Sequence, residues 1–256
     1  MSGEAFSLLP EAIPAGAAAL LVAASLFTSA VTAAFGVGGG MIMLVLMGLF
    51  LPVSVLIPVH GVVQLGSNAG RAWHLRAHVA PRVMLPFALG GFAGALIGGS
   101  VVVELPDTAL KLVLGVFVIA ITWLKLPALA AARSATVFAL AGMVTTALSM
   151  FLGATGPLVT ALIGRAFERR QQVVANSAIA MTTQHLLKVV VFGILGFALA
   201  PWLPLAAAMI ATGYLGTRLG ARLLGAMHEG QFRVWFRIGI TLLALEMIRR
   251  AVVPMI

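Results

Sequence analysis

Ten apolar segments make up most of the chain and limit what it can fold into. They cover residues 15–34, 39–51, 55–74, 83–103, 108–126, 134–150, 157–165, 171–199, 203–226 and 231–253. Several exceed the roughly 20 residues that an α-helix needs to cross the hydrocarbon core of a bilayer. Only 9% of the residues are charged, whereas about a quarter are charged in soluble domains. The sequence therefore predicts an all-α polytopic membrane protein without a soluble domain.

A run of glycines interrupts the first long apolar stretch, in Phe35-Gly36-Val37-Gly38-Gly39-Gly40-Met41. Glycine loses the most backbone entropy on ordering, so this run cannot continue a stable helix. Inside a membrane, the freed backbone groups need partners within the protein or in a wet cavity. A second break follows at Gly153-Ala154-Thr155-Gly156-Pro157. Each break predicts a helix N-terminus that begins inside the membrane and directs its N–H groups at a ligand.

The two halves of the chain carry similar features in the same order. A shift of 117 positions places Gly39 on Gly156, Gly40 on Pro157, His60 on Ser177, Ser67 on Gln184, Asn68 on His185 and Arg71 on Lys188. Further along, a shift of 122 positions places Gly94 on Gly216 and Gly98 on Gly220. This pattern predicts an internally duplicated transporter, with one transmembrane repeat at 1–130 and the second at 131–256.

Most of the 16 lysines and arginines lie in four clusters, which determine the expected topology. The clusters are Arg71, Arg76 and Arg82; Lys125 and Arg133; Arg165, Arg169 and Arg170; and Arg218, Arg222, Arg233 and Arg237. Placing all four in the cytoplasm satisfies the positive-inside rule, although Arg249 and Arg250 then lie outside, against it. Residues 134–164 begin and end on one side, which favours a re-entrant hairpin, and residues 15–51 form the same hairpin entered from the other side. The expected fold is two inverted repeats, each a broken-helix hairpin plus three transmembrane helices.

Polar residues form one face on each of two predicted helices. His60, Gln64, Ser67 and Arg71 are spaced by 4, 3 and 4 residues, and Ser177, Met181, Gln184 and Lys188 repeat that spacing. Polar side chains inside a membrane usually face the bundle interior and mark a substrate path; hydrogen bonding between packed helices is the alternative. The candidate substrate-binding residues are Gly38, Gly39, Gly40, His60, Gln64, Ser67, Asn68, Arg71, Thr155, Gly156, Pro157, Ser177, Gln184, His185 and Lys188.

Lys188 is the sharpest single signal among these residues, because a long apolar run follows it. A charge at the centre of a membrane helix costs at least roughly 2.5–3.5 kcal/mol, so we expect it to contact the substrate; snorkelling to the interface is the alternative. The glycines around Gly94 and Gly216 are spaced as small-residue packing seams. We expect an alanine at Gly94 to cost only modest stability.

The glycine motifs and the duplicated layout together resemble the TauE/SafE family of sulfite and organosulfonate exporters. The resemblance rests on Gly36-Val37-Gly38-Gly39-Gly40, on Gly153-Ala154-Thr155-Gly156-Pro157 and on the two polar helices, and it covers nearly the whole chain. It implies secondary transport of a small anion, such as sulfite, an organosulfonate or a related sulfur-containing or carboxylate anion, across the bacterial inner membrane. We expect a multi-pass protein that works by alternating access, with the anion at the half-helix N-termini near the midplane.

The expected partners are the small anion, a coupling proton or sodium ion, the lipid bilayer and a second copy of the chain in a homodimer. We expect no cofactor and no nucleic acid. Two other functions stay open. An intramembrane enzyme would need a nucleophile and a base, but the sequence has neither a Gly-x-Ser-x-Gly nor a His-Glu-x-x-His motif. A cation or metal transporter would use His60 and His185, but no carboxylate lies at ligand spacing and the chain has no cysteine.

Overall fold

The structure is a computed structural model that describes residues 13–35, 38–102, 106–124, 134–223 and 229–253. In these residues the fold is all-helical. The α-helices are α1 (Ala15–Phe35), α2 (Gly39–Gly48), α3 (Val53–His74), α4 (Pro81–Val102), α5 (Asp107–Trp123), α6 (Ala135–Leu152), α7 (Gly156–Ala166), α8 (Arg170–Ile194), α9 (Leu203–Leu223) and α10 (Glu229–Val252), with 3-10 helices at Arg76–His78 and Ala200–Trp202. The predicted apolar segments match these ten helices closely. Gly36, Val37, Lys125, Arg133 and the expected repeat boundary at 130–131 lie outside the described residues.

Two of the helices are only half as long as a membrane span. α2 has 10 residues and α7 has 11, which is about 15 Å at 1.5 Å per residue, half of the hydrocarbon thickness. Within the described chain, α1, α4, α6 and α8 are long and apolar enough to cross a membrane. The pairs α1–α2 and α6–α7 therefore each combine one helix of span length with one half-length helix, separated by a glycine break.

Two glycine seams pack helices closely against each other, as the spacing predicts. Side chains at Gly90 and Gly94 on α4 would overlap the backbone carbonyls of Ala139 and Met143 on α6. Likewise, a side chain at Gly216 on α9 would overlap the Leu26 carbonyl on α1. The expectation that an alanine at Gly94 costs only modest stability is wrong, because the atom that it would meet belongs to the backbone of α6 and cannot rotate away. In both seams the residue numbers of the contacting positions increase in the same direction along the two helices. Helix α4 therefore runs parallel to α6, and α1 runs parallel to α9.

The polar helices α3 and α8 cross at the centre in opposite directions. The rings of His60 and His185 lie 5.9 Å apart, centroid to centroid, in a T-shaped arrangement. At the start of α8, Asn176 Nδ2 donates to the His78 carbonyl at 3.2 Å, and its Oδ1 accepts from the Ala80 N–H at 2.8 Å. The amide of Asn176 therefore holds the chain that follows α3 against the beginning of α8. We call this end of the bundle the Arg76 end.

The opposite end, which we call the Asp107 end, holds the C-termini of α2 and α10 and the N-termini of α3 and α5. Asp107 Oδ1 accepts a hydrogen bond from the Val53 N–H at the start of α3. Glu246 pairs with Arg249 and Arg250, each at 2.7 Å, and Arg250 also donates to the Leu49 carbonyl at 3.1 Å. Arg249 and Arg250, which the expected topology places outside, are thus partly neutralised by a carboxylate, and Arg250 caps α2.

A hydrophobic core fills the bundle toward the Asp107 end. Its fully or almost fully buried members include Met43, Leu44 and Met47 of α2, Leu56 and Ile57 of α3, and Met150 of α6. Helix α2 begins at the first break and ends at the Asp107 end. The core that its side chains form therefore lies between the first break and the Asp107 end. It closes that side of the molecule behind the polar residues of α3 and α8.

Candidate functional site

Both breaks contain a glycine in a backbone conformation that other residues rarely adopt. Gly38 precedes α2 with φ at 110°, and Gly153 ends α6 with φ at 68°. A positive φ clashes with a Cβ atom, so these two positions favour glycine strongly. Pro157 lies in the first turn of α7, where its missing N–H costs nothing. The N-termini of α2 and α7 consequently both begin inside the bundle.

A cavity lies between the two breaks and the polar faces of α3 and α8. It is partly open to the exterior and its volume is about 60 Å³. Because one water molecule needs about 10–15 Å³, the cavity has room for a ligand of a few non-hydrogen atoms. The lining residues are Thr32, Gly38, Gly40, Met41, His60, Gln64, Asn68, Arg71, Ala154, Gly156, Pro157, Thr160, Val174, Ser177, Ala178, Met181 and His185.

Ten of the predicted substrate-binding residues line this cavity and five do not. Those that line it are Gly38, Gly40, His60, Gln64, Asn68, Arg71, Gly156, Pro157, Ser177 and His185. Gly39, Ser67, Thr155, Gln184 and Lys188 are outside the lining. A Cβ atom at Gly40 would lie 3.1 Å from Gln64 Oε1, whereas one at Gly39 would overlap the Thr28 carbonyl. The first break therefore presents Gly40 to the cavity and Gly39 to α1.

Several buried polar atoms around the cavity have no hydrogen-bond partner. They are His60 Nδ1, His185 Nδ1, Arg71 Nε and Ser177 Oγ. His60 is held in place by a contact of 3.0 Å between its Nε2 and the Gly40 carbonyl, and Arg71 Nη2 donates to Asn68 Oδ1 at 2.8 Å. Buried polar groups are normally paired, and four unpaired ones around one cavity indicate a site for a polar ligand.

Gln184 and Thr155 connect the helices around the second break. Thr155 Oγ1 donates to Gln184 Oε1 at 3.1 Å, and Gln184 Nε2 donates to Thr145 Oγ1 at 2.7 Å. This chain joins α6, α8 and the residue before α7. Both ends of the Gln184 amide are thereby used in helix packing, which agrees with the alternative explanation of the polar face at this position.

Lys188 is fully buried and is bonded to the second break. Its Nζ donates to the Gly153 carbonyl at 2.7 Å, and its exposed fraction is 0%. A Cβ atom at Gly61 would lie 3.1 Å from Lys188 Cδ, so the absence of a side chain on α3 gives the lysine stem its space. The alternative of snorkelling to the interface is wrong, because the ammonium contacts the interior of the bundle.

Seven lining residues were not among the predicted set: Thr32, Met41, Ala154, Thr160, Val174, Ala178 and Met181. Thr32 and Thr160 lie within about one turn of a break, and their nearness to it was the available signal. Met41 and Ala154 belong to the two break motifs, and Met181 lies on the polar face of α8 by its spacing. Val174 and Ala178 are apolar and carry no sequence signal of their own. Across the described residues, no group of three or more side chains of His, Cys, Asp or Glu is placed to hold a metal ion.

The family model described as sulfite exporter TauE/SafE matches residues 21–247, which include every residue that lines the cavity. No match was found among curated proteins or among solved structures.

Proposed function

Because the chain belongs to the TauE/SafE family of membrane transporters, we propose that it exports a small sulfur-containing anion such as sulfite or an organosulfonate across the bacterial inner membrane. The observation that carries this proposal is the cavity between the two breaks. It combines two helix N-termini, a half-buried arginine and unpaired nitrogen and hydroxyl groups, and none of the lining residues is a carboxylate. A site with this composition favours a negative charge.

Three sources of positive potential converge on the cavity. The N-terminus of each half-length helix carries about half an elementary charge and has N–H groups without an intrahelical partner. Arg71 adds a full charge, and only its Nη2 is bonded to Asn68, which leaves Nε for a ligand. A pyramidal oxyanion has three acceptor oxygens and can take hydrogen bonds from Arg71, from Ser177 and from a helix N-terminus at once.

The packing of the helices supports an inverted duplication. The glycine seam contact of Gly94 with Met143 has its counterpart in Gly216 with Leu26, and these positions obey the sequence shifts of 122 and 117. The corresponding helices α3 and α8 run in opposite directions. Repeats of this kind enable alternating access, in which two similar conformations expose one central site to opposite sides. We propose this mechanism, coupled to a proton or a sodium ion, with the Arg76 end in the cytoplasm.

The direct test is the binding of sulfite to purified protein by calorimetry, with Arg71→Gln as the variant. A hydrogen bond to a charged group contributes about 1.5–3 kcal/mol, so we expect binding to weaken by about 10- to 100-fold. Arg82→Gln is the matched control, because Arg82 is exposed at the start of α4 and lies outside the cavity. Equal sulfite affinity in the two variants, with unchanged melting temperatures, would contradict the proposal.

A further inference from the structure

The cavity occupies only one side of the crossing between α3 and α8. Its lining on α3 runs from His60 to Arg71, toward the Arg76 end, and its lining on α8 runs from Val174 to His185, which is the half nearest the start of that helix. Beyond His60 and His185 the hydrophobic core begins. In the described part of the chain, this conformation therefore presents the site toward the Arg76 end.

Six pairs of residues related by the shift of 117 differ in exposure in one direction, whereas Ile42 with Val159 and Leu46 with Ile163 differ in the opposite direction. Thr160, Val174 and Arg71 line the cavity and are partly exposed. Their counterparts Met43, Ile57 and Lys188 are only 0%, 1% and 0% exposed. Three further pairs show the same bias: Leu44 with Ala161, Met47 with Gly164, and Leu56 with Val173, in which the first member is buried and the second is half-buried or exposed. In each of the six pairs, the buried member is the one toward the Asp107 end.

The buried cation of this set is bonded to the backbone and not to a side chain. Lys188 contacts a backbone carbonyl, that of Gly153, and no carboxylate pairs with it among the described residues. Gly153 itself is packed against Leu44, whose Cδ1 would lie 2.5 Å from a Cβ atom at that position. His185, which lines the cavity, lies one turn before Lys188 on α8. The ammonium thus lies directly behind the present cavity, inside the packed core.

We propose that the protein has a second vestibule, closed in this structure, which opens at the Asp107 end and is lined by Met43, Ile57 and Lys188. In that conformation Lys188 leaves the Gly153 carbonyl and binds the anion, as Arg71 does in the open cavity. Thr160, Val174 and Arg71 then pack together and close the Arg76 end. The inference rests on the proposed transport function and on the duplicated packing, and it assigns the two cations to two different access states.

The test uses single cysteines, because the chain has none of its own. Val174→Cys and Thr160→Cys report the open cavity, and Ile57→Cys and Met43→Cys are their matched partners in the closed vestibule. Each variant is embedded in vesicles and treated from one face at a time with a small impermeant methanethiosulfonate that carries a trimethylammonium group, because the anionic reagent with a sulfonate group belongs to the proposed substrate class. No sulfite is added, because sulfite itself attacks thiol-reactive reagents.

We expect the cysteines at 174 and 160 to react from one face and those at 57 and 43 to react, more slowly, from the opposite face. The proposal is overturned if the cysteines at 57 and 43 react from the same face as those at 174 and 160. It is also overturned if they fail to react from either face while they react fully after denaturation in detergent. Because this labelling needs no substrate, its outcome does not depend on whether sulfite is the transported anion.

The charge of each vestibule is tested by comparing the anionic reagent with its trimethylammonium analogue. A positive potential raises the rate of the anionic reagent, and local fields change association rates by about 10-fold or more. We expect Lys188→Gln to lower the anionic-to-cationic rate ratio at the cysteine at 57 and to leave it unchanged at 174. We expect Arg71→Gln to lower the ratio at the cysteine at 174 and to leave it unchanged at 57. If Lys188→Gln leaves the anionic-to-cationic rate ratio at the cysteine at 57 unchanged, Lys188 does not line the vestibule. That conclusion would hold even if anion transport itself were established.

Discussion

Gly156 and Gly39 occupy equivalent places at the two breaks, but a side chain would meet different surroundings at each. At Gly156 the nearest atom to an added Cβ is Met181 Sδ at 3.7 Å, which is ordinary contact beside the cavity. At Gly39 the added atom would overlap the Thr28 carbonyl and crowd the Thr32 hydroxyl. The surroundings of the two glycines therefore differ: Gly156 lies beside open space in the cavity, whereas Gly39 lets α2 approach α1.

We accordingly predict opposite phenotypes for the two valine variants. Gly156→Val should weaken sulfite binding by at least about tenfold with a nearly unchanged melting temperature, because the side chain enters the cavity. Gly39→Val should destabilise the protein by about 1–3 kcal/mol through overpacking. Calorimetry and thermal unfolding in detergent measure the two effects. A Gly156→Val protein that binds sulfite as tightly as wild type would show that the anion does not lie on the N-terminus of α7.

At the scale of the helices, the seam between α4 and α6 leaves no room for an added methyl group at Gly94. We predict that Gly94→Ala destabilises the protein by about 1–3 kcal/mol, because the new methyl group must push the backbone of α6 away. Gly239→Ala on α10 is the matched control, since no atom lies within 4 Å of a Cβ there and alanine raises helix propensity by about 1 kcal/mol. The apparent melting temperature should fall in the first variant and stay level or rise in the second. Equal melting temperatures would mean that the seam is loosely packed.

The helices themselves could be predicted from the sequence, because hydropathy and the Pro and Gly signals at helix ends are local. Which helix packs against which could not be predicted. The spacing around Gly94 indicates that another helix approaches closely, but it carries no information that the partner is α6 or that the two run parallel. The polar face of α3 indicated the cavity correctly except at Ser67. On α8, Gln184 and Lys188 belong to the same face by spacing, but their long side chains reach Thr145 and Gly153 instead, and a side chain's path is a property of the packed state.

At the scale of the whole molecule, the charged residues predict its orientation in the membrane. Ser54 and Asp107 lie at one end of the bundle, and Arg76 and Glu168 lie exposed at the other. We predict that a single cysteine at Ser54 or Asp107 is labelled from the periplasm, and one at Arg76 or Glu168 only from the cytoplasm. Labelling of the cysteines at 76 and 168 from opposite faces would refute the hairpin arrangement of α6 and α7.

The two glycine seams also have a consequence for how the protein is made. Each seam joins helices from different halves of the chain, α4 with α6 and α1 with α9. The ribosome delivers α4 and α6 close together in time, so their seam can form midway through synthesis. Helix α1 emerges long before α9 and has to wait in the bilayer until α9 follows. A nascent chain that stops before α9 therefore leaves the face of α1 around Leu26 against lipid.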